Sequence, residues 1–145
     1  MRRRRRLRAA AAELLALAAP AAAGPAGVGK TGTGEGLYCT MALVSVAAEV
    51  ERRCPGKADP ALRPALEESL RLMEARVIAS GAGDAASLAR FRREQGGAGA
   101  DDATLCAGDG AMLYEAIRKA GGAALVAGTH RLVSRPGKPG WGDCF

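Results

Sequence analysis

Gly24-Pro25-Ala26-Gly27-Val28-Gly29-Lys30-Thr31 matches the pattern GxxxxGKT letter for letter. Where such a loop joins a buried strand to a helix, its glycine amides cradle phosphates, its lysine reaches the outer phosphates and its hydroxyl holds magnesium. Neither neighbour suits that role here. The match is preceded by an alanine-rich stretch with the marks of a removable leader, and Thr31 runs into Gly32, Thr33 and Gly34, which open no helix. No later apolar run ends in an aspartate placed to hold the metal. The match is read as a coincidence of a glycine-rich segment, and no nucleotide or other cofactor is expected.

His130 is the single histidine. A hydrolase would need it beside a nucleophile, and Ser45, Ser69, Ser87, Ser134 or a thiol would have to come to it in space. Nothing local marks such a nucleophile, and between Thr129 and Arg131 the residue reads as a surface histidine, so no catalytic residue is assigned. Zinc is not expected either, because one histidine and unpaired cysteines do not make a ligand set. Glu67-Glu68 and Asp101-Asp102 are adjacent carboxylates that could pass for acid and base. The first pair falls on a solvated helix face and the second where a helix start favours negative charge.

Cys39, Cys54, Cys106 and Cys144 carry the most specific chemistry. None of the spacings is CxxC, so a redox motif is not indicated, and an even number in a small exported chain reads as two disulfides. Cys39 and Cys54 share one predicted helix, about 22 Å apart at 1.5 Å per residue, which forbids their pairing. Two connectivities remain. Helices that meet at a common pole favour Cys54 with Cys106 and Cys39 with Cys144 over Cys39 with Cys106 and Cys54 with Cys144. Trp141, in Pro139-Gly140-Trp141-Gly142-Asp143-Cys144, is the candidate interface anchor. The favoured alternative is that it folds back to plug the end of the bundle.

Export itself is read from the N-terminus. Arg2 to Arg6 and Arg8 precede an apolar stretch from Ala9 to Ala19, interrupted by Glu13, and small residues succeed it at Ala21-Ala22-Ala23. That order is the one of a secretory signal peptide over 1–23. Six of the 21 Lys and Arg and one of the 15 Asp and Glu lie in it, so the rest of the chain carries 15 positive and 14 negative charges. A near-neutral remainder with few aromatics disfavours nucleic acid despite Arg90, Arg92 and Arg93. No apolar run reaches the length of a membrane span. The absence of Asn beside abundant Ala, Gly and Arg suggests a G+C-rich coding bias, hence a periplasmic or secreted bacterial protein.

Helical spacing dominates the rest, after a glycine-rich, disordered leader over 24–36. Leu37 to Arg53 places Cys39, Leu43, Val46 and Val50 on one face of the most buried helix, ended by Cys54-Pro55-Gly56. A second helix runs from about Pro64 to Ser80, with Leu66, Leu70, Met73 and Val77 inward and Glu67 and Arg71 at pairing distance outside. Asp84 caps a third to Gln95. Asp101-Asp102 opens a fourth to Lys119, weakened at Gly108 and Gly110, with Asp109 as an alternative cap. Leu125 to Ser134 fits a fifth helix, with a strand pair still open.

The expected fold over 37–145 is therefore a single all-α domain, a bundle of four or five short helices stapled by two disulfides. The expected function is binding another exported or envelope protein, as inhibitors, immunity proteins and accessory factors do. A small hydrolase using His130 and a structural envelope-stress protein are the alternatives.

Overall fold

A computed structural model describes residues 36–142. The signal peptide, the GxxxxGKT match, nearly all of the leader and Cys144 lie outside the described residues. Within them the chain is all-helical, in the order α1 (Leu37–Arg53), α2 (Arg63–Ala79), α3 (Ala85–Glu94), α4 (Asp102–Cys106), α5 (Asp109–Ala120) and α6 (Gly122–Val133).

Four of these form a ring in which α1 packs on α2 and α5, and α6 packs on α2 and α5. The α2–α6 contact is the most extensive and the α5–α6 contact the least. Helix α1 also touches α3 and α4. Its deepest residues are Leu37, Met41, Val44, Ala47 and Val50. The expected stripe of Cys39, Leu43 and Val46 is only half-buried. A helix apolar on most sides carries no single stripe in its sequence, and its neighbours choose the deepest one. Leu66, Met73 and Val77 of α2 meet it as expected, and Tyr114 and Ile117 of α5 complete the core.

Six helices stand where four or five were expected, because the stretch 102–119 is two helices. At Gly108 the backbone turns to φ 92 and ψ −140, a region open to glycine alone, and Asp109 becomes the first residue of α5 rather than its cap. The aspartate that caps α4 is Asp101, whose side chain accepts from the Thr104 amide at 2.9 Å. Asp102 instead takes a 2.8 Å hydrogen bond from Nε of Arg53. Asp84 caps α3 as expected, in a reciprocal capping box with Ser87. The strand alternative for 125–134 gives way to α6. Arg71 pairs with Glu68 at 2.6 Å, not with Glu67.

The disulfide Cys54–Cys106 closes the pole where α1 ends, with the Cα atoms 5.4 Å apart. It selects one of the two open connectivities. Cys54 comes directly after the last residue of α1 and Cys106 is the last of α4, so the bond fixes the loop 54–62 against the α4–α5 break. Two further ties act there: the buried Tyr114 hydroxyl donates to the Lys57 carbonyl, and Lys57 Nζ reaches Glu115 at 2.5 Å. This is the disulfide found among the described residues; the other expected pair, Cys39 with Cys144, involves a residue outside them.

Candidate functional site

Helix α1 begins without a side-chain cap, since its N-cap is Gly36. The first amides of a helix have no partner within it and must find one elsewhere. Here the C-terminal tail supplies one: the Gly36 amide donates to the Trp141 carbonyl at 2.6 Å, and the Tyr38 amide to the Gly140 carbonyl at 3.2 Å. Arg76 of α2 holds the approach to this tail by donating to the carbonyls of Arg135 at 3.2 Å and Gly137 at 2.6 Å.

With the backbone so placed, the Trp141 ring meets Tyr38 and Phe91 in a mutual triangle, with centroids 5.8 to 5.9 Å apart and planes tilted by 34 to 45°. Tilted contacts at this separation suit the quadrupoles of the rings. Tyr38 is held in turn by donating from its hydroxyl to the Ala82 carbonyl at 3.4 Å. One face of Trp141 is thus seated on α1 and α3, while the residue remains 51 % exposed. It covers the start of α1, as a plug would, and still presents half its surface outward. Arg90, next to Phe91, and Lys138, three residues before Trp141, are exposed. Arg92 is spent on Glu74, to which its Nε donates at 2.7 Å.

The remaining residues singled out by sequence are not gathered into a site. His130 is exposed on α6, and its charge adds slightly to the stronger effect of Arg71 in holding the Glu68 carboxyl below its usual value. No described serine turns to it. Ser80, Ser87 and Ser134 donate to the carbonyls of Val77, Asp84 and Arg131, while the Ser45 and Ser69 hydroxyls are buried. Among the described residues no group of three or more His, Cys, Asp and Glu gathers to hold a metal, and no helix is long and apolar enough to cross a membrane. Cys39 lies half-buried next to Tyr38 in the first turn of α1, and no described cysteine is free.

Sequence reading missed two features. One is the buried carboxylate of Glu51, which Arg63 holds across the α1–α2 loop. The other is an open groove between α5 and α6. The sequence of α6 carried a signal for the groove, since Ala124 and Gly128 are small residues one turn apart on one face.

No family model, no curated protein and no solved structure matches this chain.

Proposed function

We propose that the chain is a small exported protein, freed of residues 1–23 and stapled by Cys54–Cys106 and Cys39–Cys144, that acts by binding another exported or envelope protein. Trp141 is the anchor of that interface. The observation that carries the reading is its posture: an indole half exposed yet already held by two rings and by two tail-to-helix hydrogen bonds. A side chain ordered before encounter loses little entropy on binding, and tryptophan leads the residues that dominate interface energies. The exposed cations Arg90, adjacent in sequence to Phe91, and Lys138, three residues before Trp141, favour a partner with an acidic rim and raise its rate of encounter. The second staple, reached by elimination, would fasten the residues just beyond Trp141 to the helix it covers.

The test is affinity capture from the envelope fraction of the host, with wild type and Trp141→Ala side by side. One acidic protein retained in stoichiometric amount by wild type and at least about tenfold less by the variant is the expected result. Equal retention by both proteins, with circular dichroism showing both folded, contradicts the reading.

A further inference from the structure

The groove between α5 and α6 encloses about 440 Å³ and opens to solvent. That lies within the 300 to 1,000 Å³ typical of ligand pockets. It arises from the joint at Gly121, where α5 ends and α6 begins at once, so the two helices diverge and leave the weakest contact of the ring between them. Small residues line both sides, Ala116 and Ala120 on α5 and Ala124 and Gly128 on α6, with Leu113 and Leu125 adding apolar surface. Alanine and glycine leave open the width that larger side chains would occupy. A Cβ placed on Gly128 would meet only the Arg131 guanidinium, at 3.8 Å.

Two polar features break this apolar lining. Thr40 of α1 borders the groove, is 3 % exposed, and its hydroxyl has no hydrogen-bond partner. Buried hydroxyls are ordinarily bonded, and leaving one unmet costs free energy. The other buried threonine of the lining, Thr129, donates to the Leu125 carbonyl at 3.0 Å and is satisfied. The second feature is charge: Arg131 of the lining is exposed, and no acidic residue is among the lining residues.

We propose that this groove binds a single-chain aliphatic carboxylate, a free fatty acid. Its hydrocarbon chain lies along the small-residue walls, its carboxylate pairs with Arg131, and the same head group gives Thr40 the acceptor that its hydroxyl lacks. Arg131 disfavours an amphiphile with a positive head, and the volume suits one chain rather than a two-tailed lipid. Trp141 takes no part in the groove, so this site and the protein interface stand or fall separately.

Isothermal titration of the purified protein with dodecanoate, dodecanol and dodecyltrimethylammonium, each kept below micelle formation, tests it. Dodecanoate should bind one to one, dodecanol about tenfold more weakly, and the ammonium compound weakest of all. Arg131→Gln should reduce dodecanoate affinity about tenfold while leaving dodecanol unchanged. Gly128→Leu places a side chain in the open groove and should abolish binding of both, with helix content retained. Should that variant not fold, Ala124→Leu, also on the exposed wall, serves in its place. No binding of dodecanoate, equal binding of all three compounds, or full dodecanoate affinity in the blocked variant would overturn the proposal.

Discussion

The Glu51 carboxylate, 4 % exposed, receives three hydrogen bonds from the Arg63 guanidinium at 2.8 to 3.1 Å and a fourth from the Asp59 amide at 3.1 Å. One acidic side chain near the end of α1 thereby fixes the loop that leads into α2 and the first residue of α2 itself. The arrangement is uneven, because Arg63 stays half exposed while Glu51 does not.

That unevenness sets an order of effects. Glu51→Gln keeps part of the bonding and leaves a cation that water can reach, so it should cost about 1 to 2 kcal/mol. Arg63→Gln strands a buried carboxylate and should destabilise more. Combining the two should recover part of the loss, which urea unfolding of the three variants would show.

The same pair dictates a pH dependence. Hydrogen bonds from Arg63, opposed by burial, hold the Glu51 carboxyl below its ordinary value of 4.5. A group with a depressed pKa in the folded state contributes stability that is complete above the unfolded value and lost as pH falls through the folded one. Stability should therefore decline as the medium is acidified below 4.5, and Arg63→Gln, which removes the interaction that depresses the Glu51 pKa and leaves burial to raise it, should shrink or reverse the share of that decline that Glu51 contributes. Denaturant titrations at a series of pH values measure both.

Cys54 and Cys106 are 52 residues apart in sequence. Closing a loop of that length restricts the unfolded chain by about 4 kcal/mol on the entropic account. The double variant Cys54→Ser with Cys106→Ser should lose stability of that order, seen as a lower midpoint in urea under non-reducing conditions. An unchanged midpoint would mean that Tyr114 and Lys57 hold the pole without the bond.

Gly108 has open space around it but φ of 92, so Gly108→Ala meets strain without a clash. Such strain amounts to about 1 to 3 kcal/mol. If instead 102–120 were one continuous helix, alanine would stabilise it, and the sign of the change in urea midpoint separates the two.

Legibility in the sequence depended on the range over which each signal acts. Bounds of α1, α2 and α3 were readable because Cys54-Pro55-Gly56, Pro64 and Asp84 act on their own neighbours. The break at Gly108 was legible only as a weak point at Gly108 and Gly110 with Asp109 as an alternative cap, since apolar spacing continues from Leu105 through Leu113 and only the backbone reversal interrupts it. Glu51 looked like one more polar residue of a helix end; its burial depends on Arg63, twelve positions later, reaching back across a loop. The Trp141 seat begins with amides at the start of α1 that can donate to any carbonyl, so no side-chain pattern announces it. The groove depends on the splay of two helices, a relation between elements rather than within one.

Trp141 is the sole tryptophan, so its emission reports the aromatic seat directly. Phe91→Ala removes one of its two ring supports and should shift the emission to longer wavelength and raise its quenching by iodide. The fold should survive, because Phe91 is only half-buried. Unchanged quenching would mean that Tyr38, Arg76 and the backbone bonds at Gly36 and Tyr38 hold the tail without Phe91.

Export and crosslinking underlie the proposed role, and the mass of the protein isolated from its native host tests them together. Cleavage after Ala23 with no thiol open to alkylation is the predicted result. A chain still carrying its arginine-rich start, with four alkylatable cysteines, would contradict the account.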